Sequence, residues 1–286
     1  MRIAIVSDIH GNLPALQAVL ADIARQGVDQ IVNLGDLLSG PLLPAETADL
    51  LMSRGFLTLA GNHDRQLLAL MEGAAPIDPD DSDGYAATQI QPRHVDWLRS
   101  LPPTHWLTPE VLLVHGTPAS DLVYWLETVT PGMGRNGSPG VRAATDAEVA
   151  QRLRAGGPDA QQASLALCGH THVPRVTLSG ATLVVNPGSV GLPGYEDGYP
   201  HPHRIENGSP HARYALVERL VTGWLARLCS VPYDAAPMAA LAAARGRHDW
   251  AHALATGRLP PVPPRRRAAR KPNGKISGLL PPKDET

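Results

Sequence analysis

The sequence predicts an α/β protein, a four-layer α-β-β-α sandwich in which two mixed sheets pack face to face with helices on both outer sides. Three observations carry that expectation. The first sixty residues alternate strand and helix, which builds a mainly parallel sheet with right-handed crossovers. The second half changes to strand after strand, which calls for a second sheet. Five short polar motifs each follow directly on a predicted strand, where open α/β sheets gather their ligands.

Element by element, residues 2–7 are a β-rich apolar run that enters a polar loop at once. Residues 13–26 space Leu13, Leu16, Val19, Leu20 and Ile23 as a helix does, with Pro14 in the first turn. Residues 30–34 make a second strand, 45–54 a second helix closed by Gly55, and 56–60 a third strand. Residues 74–84, rich in Pro and Asp, read as a loop. A helix over 91–100 stops at Leu101-Pro102-Pro103, and 111–114 is a buried strand. Residues 132–140 are Gly-rich and expected to be mobile. Residues 145–155 form a helix with Asp146 and Glu148 in its first turn, where acidic groups favour the dipole. Short strands follow at 165–167, 175–178 and 182–185, then an irregular Gly-, Pro- and His-rich stretch over 191–210. Residues 214–217 and 225–230 form a late antiparallel pair, and 238–254 one Ala-rich helix. No order is expected from Leu259 onward.

The chain of 286 residues is 43% hydrophobic and 18% charged, ordinary for a folded globular protein. Aromatics make up only 4%, with Phe56 the single phenylalanine, so Leu, Val, Ala and Ile must build the core. No run of 18 apolar residues occurs, so no membrane span is expected, and the N-terminus is too short for a signal peptide before its first strand. The cytoplasm is the expected location. Cys168 and Cys229 give neither a disulfide framework nor a cysteine zinc site, and both read as small hydrophobes. The net charge of −2 hides an asymmetry. From Pro264 onward the chain holds seven of the 25 basic and two of the 27 acidic residues, leaving 18 against 25, a net of −7. An acidic body weighs against a general nucleic-acid surface there; only the basic tail keeps that option, and a solvated tail is the plainer reading.

The five motifs are Asp8-Ile9-His10, Gly35-Asp36, Gly61-Asn62-His63-Asp64, His115-Gly116 and Gly169-His170-Thr171-His172. Each alone says little. Together, at successive strand ends, they would gather Asp8, His10, Asp36, Asn62, His63, His115, His170 and His172 in one crevice. Imidazole, carboxylate and amide oxygen without thiolate suit Mn, Fe, Zn or similar borderline cations. The set is too large for one metal, since a catalytic zinc takes about three protein ligands plus water. Two cations roughly 3.5–4 Å apart, bridged by a carboxylate, would use it well.

These blocks resemble the calcineurin-like metallophosphoesterase superfamily, whose pattern is D-x-H, G-D, G-N-H-[DE], H and G-H-x-H. The wider text, Asp8-Ile9-His10-Gly11-Asn12, His115-Gly116-Thr117-Pro118, Cys168-Gly169-His170-Thr171-His172-Val173-Pro174 and Asn186-Pro187-Gly188-Ser189-Val190-Gly191, is similar to its small bacterial phosphodiesterase-type branch. The resemblance implies a catalytic domain over residues 1–234; composition and spacing then give a helical extension over 235–258 and a disordered basic tail over 259–286. It implies a first metal held by Asp8, His10, Asp36 and His172, and a second held by Asp36, Asn62, His115 and His170, with Asp36 bridging. Mn²⁺ is the first choice, with Fe, Zn or Ni as alternatives. A water or hydroxide between the metals is the implied nucleophile. His63 would serve at the leaving oxygen as the catalytic histidine. Ser39 departs from the protein phosphatases of the superfamily, which place there an Asp that orients this histidine. That weakens a phosphoprotein reading and leaves Asp64 either as a candidate for the orienting role or as a structural hydrogen-bond acceptor.

The implied reaction is metal-dependent hydrolysis of a small phosphorylated substrate, with phosphodiesters or nucleotide-type esters favoured. A phosphomonoesterase, a dinucleoside polyphosphate hydrolase and a non-catalytic scaffold of the same fold are the alternatives. Other residues are given plainer roles. His94 and His105 read as surface or packing groups, and His248 and His252 as an exposed helix face. Tyr124 and Trp125 read as core residues, and Asn186-Pro187-Gly188 as a tight turn. His201, His203, Arg204 and His211 lie in or beside a segment of the kind that lines pockets, without a specific assignment.

Overall fold

Residues 2–6 show how the core divides. Ile3 and Ile5 point one way and Ala4 and Val6 the other, all without exposed surface, as the two-residue period of a doubly covered strand requires. In the computed structural model, which describes residues 1–261, this strand is β1 (Arg2–Val6). The other strands are β2 (Gln30–Asn33), β3 (Leu57–Thr58), β4 (Thr104–Thr108), β5 (Val111–Val114), β6 (Glu127–Val129) and β7 (Val141–Ala143). They continue as β8 (Leu165–Leu167), β9 (Arg175–Ser179), β10 (Thr182–Asn186), β11 (Gly194–Asp197), β12 (His203–Glu206), β13 (Ala212–Leu220) and β14 (Gly223–Val231). The helices are α1 (Leu13–Ile23), α2 (Pro44–Arg54), α3 (Asn62–Met71), α4 (Ser82–Gln89), α5 (Pro92–Ser100), α6 (Asp146–Ala155), α7 (Gly157–Ala160), α8 (Ala236–Ala244) and α9 (His248–Thr256).

Two five-stranded mixed sheets form, in the orders β14-β13-β1-β2-β3 and β4-β5-β8-β10-β9. β1, β2 and β3 run parallel, and β13 and β14 are added by antiparallel pairing. In the second sheet β5, β8 and β10 run parallel between the antiparallel edges β4 and β9. Ile3, Ile5, Val32, Leu113, Leu167 and Val185 fill the space between the sheets. On the far side of the first sheet, Leu16, Val19 and Ile23 of α1 and Leu51 of α2 cover Ala4, Val6 and Tyr214. On the far side of the second, Val149 and Leu153 of α6 cover Leu112, Val114 and Val184. These are the four layers expected. Local signals set the helix ends: the Asn12 side chain caps α1, Gly55 closes α2 in the left-handed conformation, and Thr145 and Glu148 form a capping box on α6.

Three stretches differ from the sequence reading. The supposed loop 74–84 runs into α4, whose first turn is capped by the Asp81 side chain. The supposedly irregular 191–210 contains the β11–β12 hairpin, with Gly194 opposite Glu206 and Asp197 opposite His203. The Ala-rich stretch is two helices, because Gly246 at φ +76° turns the chain between them. α8 and α9 bury Met238, Trp250 and Leu254 against Leu42, Leu192 and Leu259, and Arg245 donates to the carbonyls of Pro41 and Leu42. Of the tail read over 259–286, residues 262–286 lie outside the described residues, while Leu259, where no order was expected, is buried in this cluster and donates its N–H to Glu206. Among the described residues, no helix is long and apolar enough to cross a membrane.

Candidate metal centre

Loops leaving the carboxyl ends of β1, β2, β3, β5 and β8 meet at one edge of the sandwich. They deliver Asp8 and His10, Asp36, Asn62 and His63, His115, and His170 and His172 respectively. All eight residues singled out in the sequence come together. His10 Nε2 lies 3.1 Å from His172 Nε2, and His172 Nε2 3.3 Å from Asp8 Oδ1. His115 Nε2 lies 3.1 Å from Asn62 Oδ1 and 3.2 Å from Asp36 Oδ2, with the His170 ring 5.1 Å from the His115 ring. Asp36 Oδ1 accepts from the His63 backbone N–H at 2.9 Å, and the Asp36 carbonyl accepts from the His10 backbone N–H at 3.1 Å, which ties the two halves. Two groups, Asp8-His10-His172 and Asp36-His115-His170, each hold their potential ligand atoms within 4.8 Å of one another.

The backbone is strained at these positions. Asp8, His10, Asp36, His170 and His172 all have φ between 52° and 68°, and Asn136 is the only other non-glycine residue with positive φ among the described residues. An L-residue there costs about 1–2 kcal/mol. Such strain persists where surrounding contacts over-determine the conformation, and it clusters at functional sites. The motif glycines explain how the loops approach so closely. A Cβ on Gly61 would stand 2.2 Å from Asp36 Oδ1, and one on Gly169 would stand 2.0 Å from Ser7 Oγ.

Hydrogen bonding fixes the imidazole tautomers. Nδ1 of His10 donates to the Ser39 carbonyl (2.8 Å), Nδ1 of His115 to that of Leu34 (2.8 Å) and Nδ1 of His172 to that of Leu192 (2.7 Å). Each Nε2 is therefore turned inward, an arrangement characteristic of metal-ligating histidines. Burial would lower His115, but Asp36 raises it to about 9 in the metal-free site, so this nitrogen must shed its proton to take a metal. In the buried His10–His172 pair the two Nε2 atoms face each other at 3.1 Å, a contact that a shared proton or a metal cation between them satisfies. Burial and the neighbouring His172 push His10 down to about 4, and burial and His115 push His170 down to about 3, so both offer neutral nitrogen at pH 7. Burial alone would raise Asp36, yet His115 and His63 hold it well below the usual carboxylate range. Imidazole, carboxylate and amide oxygen are a donor set that fits a pair of borderline divalent cations.

His63 is oriented by a residue that the sequence reading missed. Its Nδ1 lies 2.9 Å from Asp83 Oδ1 and 3.3 Å from Ser39 Oγ. Burial would depress the imidazole, but the charge of Asp36 and the hydrogen bond to Asp83 raise it to about 10. Asp64 instead accepts the backbone N–H groups of Asp36, Leu37 and Gly61, at 2.8, 3.0 and 2.8 Å, and so fixes the loop that carries Asp36. Asp83 sits in the first turn of α4, twenty residues from His63, where no spacing pattern pointed to it. Of the residues given plainer roles, His94 is buried and bridges Asp49 and the Gln91 backbone, and Tyr124 and Trp125 are buried as expected.

A cavity of about 720 Å³ opens over the centre. Asp36, His63 and His170 line it, as do Tyr199, Arg247 and Trp250. That is far more room than one phosphate needs and lies within the range of small-molecule sites.

The profile of the calcineurin-like phosphoesterase superfamily domain matches residues 1–201, and the chain belongs to that family. The structure is similar to a metallophosphoesterase from Sphaerobacter thermophilus, with a TM-score of 0.66 and 26% identity over 90% of this chain and 100% of that one. It shares its fold with a hypothetical protein of Pyrococcus horikoshii OT3, with a TM-score of 0.65 and 18% identity over 91% of this chain and 99% of that one. A curated relative, an uncharacterized protein of Methanocaldococcus jannaschii, is 44% identical over 66 residues, and the match spans 23% of this chain and only 27% of that protein.

Proposed function

We propose that the protein hydrolyses phosphate esters with two divalent cations, Mn²⁺ being the first choice, and that phosphodiesters or nucleotide-type esters are preferred. The observation that carries the reading is the inward-facing Nε2 pair of His10 and His172, each locked by a backbone carbonyl on its other nitrogen. In this proposal Asp8, His10, Asp36 and His172 hold one ion, and Asp36, Asn62, His115 and His170 the other. The two close groups of potential ligand atoms support the division. Bound there, the cations would supply Lewis acidity to the phosphoryl oxygens and lower the pKa of the attacking water.

The chain's own groups do the rest. Asp64 holds the Asp36 loop rigid through three backbone hydrogen bonds. His63, its Nδ1 engaged by Asp83, keeps Nε2 for the leaving oxygen and donates its proton there. The size of the cavity favours an ester with a substantial organic group over a bare phosphate.

The test is turnover of bis-p-nitrophenyl phosphate and p-nitrophenyl phosphate side by side, with Mn²⁺ and with a chelator. Mn²⁺-dependent turnover with the diester ahead supports the proposal, and a monoester preference moves the assignment to a phosphomonoesterase. A protein that binds two metals per chain and turns over neither these esters nor dinucleoside polyphosphates would be a scaffold.

A further inference from the structure

Four histidines take part in the proposed centre as ligands, and three are fixed through Nδ1 by a backbone carbonyl. His170 is the exception: among the described residues no hydrogen bond holds its ring. Its ring lies instead against the Tyr124 ring in a T-shaped pair, 4.8 Å between centroids at 64°. The Tyr195 ring packs on His172 in a tilted arrangement, 4.6 Å between centroids.

These two tyrosines belong to one hydrogen-bonded chain. His203, on β12 and fully buried, donates from Nδ1 to the His201 carbonyl at 2.8 Å, so its Nε2 must accept. The Tyr124 hydroxyl, 2.8 Å away, donates to it. The Tyr195 hydroxyl then donates to Tyr124 at 2.5 Å, with the His170 carbonyl as a second acceptor at 3.3 Å. The direction of every proton in the chain follows from the His203 tautomer. It ends at the His170 carbonyl, while the Tyr195 ring packs on His172, and the two histidines carry backbone strain at φ 68° and 59°. Conformations of that kind require outside contacts to hold them.

We propose that Tyr124, Tyr195 and His203 are positioning residues of the metal centre, a hydrogen-bonded chain anchored on the β11–β12 hairpin that sets the rings of His170 and His172. The proposal rests on the two-metal reading above. It gives the hairpin a role that its sequence did not announce, and for His170 it substitutes an aromatic contact for the carbonyl that fixes the other three rings. Partners that orient ligand side chains are worth about 10–100-fold in metal affinity.

The test compares Co²⁺ binding by calorimetry and the Co²⁺ visible spectrum in the full chain and in Tyr124→Phe, Tyr195→Phe, His203→Leu and His203→Gln. The first three should bind Co²⁺ about 10–100-fold more weakly and shift the absorption bands, while the metal-free forms melt within a few degrees of the parent. His203→Gln keeps an acceptor for the Tyr124 hydroxyl and should recover most of the affinity. Parental affinity and spectrum in Tyr195→Phe and His203→Leu would overturn the proposal. So would losses that simply track the melting temperature of the metal-free protein. A parent chain that binds no Co²⁺ would instead overturn the two-metal reading, and the chain's role with it.

Discussion

Replacing Asp83 by Asn changes one atom of the contact that orients His63. The carboxylate Oδ1 lies 2.9 Å from His63 Nδ1, a charge-assisted hydrogen bond. Bonds of that class contribute about 1.5–3 kcal/mol, which at 1.36 kcal/mol per decade is about 10–150-fold in rate. The His63 side chain is 34% exposed, so solvent screening favours the lower half of that range. Asp83→Asn should therefore lower kcat for bis-p-nitrophenyl phosphate about tenfold or somewhat more in saturating Mn²⁺, with the metal content unchanged. Because Asp36 and Asp83 both raise the His63 pKa, losing Asp83 should move the alkaline limb of the rate profile to lower pH. His63→Ala should itself keep both metals and cost about 10²–10⁴-fold. In that background Asp83→Asn should cost nothing further, since residues acting as a unit are not additive. Parental kcat in Asp83→Asn, or a full additional loss in the double variant, would refute the argument that Asp83 works through His63.

Asp36→Ala should lose metal and turnover together; two metals per chain by elemental analysis would reject the bridging assignment. Gly61→Ala forces a Cβ to within 2.2 Å of Asp36 Oδ1. It should destabilise the protein by about 1–3 kcal/mol, seen as a lowered Tm, and weaken metal binding because Asp36 must move.

The parts of this site legible in the sequence were those that a strand end delivers. The five motifs announced themselves because each couples chemistry-bearing side chains to a glycine or a turn beside a short apolar strand. The alternation of strand and helix, then strand after strand, gave the two sheets. What escaped depended on contacts between distant segments. Asp83 lies in Ser82-Asp83-Gly84-Tyr85-Ala86-Ala87, whose Gly and alanines give only a weak amphipathic signal, and its helix follows a Pro- and Asp-rich stretch. The β11–β12 hairpin was masked by Gly, Pro and His over 191–210, although residues such as Ile205 and His203 are buried. The break at Gly246 was hidden because alanines on both sides carry the helical pattern through it. His203, without a motif of its own, acquires its place only when Tyr124 and Tyr195 arrive from other segments.

Loading the protein with Mn²⁺ and recording its electron paramagnetic resonance spectrum tests the central claim most directly. Two ions per chain sharing the Asp36 carboxylate are exchange-coupled, and the account predicts a multiline spectrum with reduced intensity at a stoichiometry of two. One ion per chain, none, or the six-line signal of isolated Mn²⁺ at full intensity would contradict it.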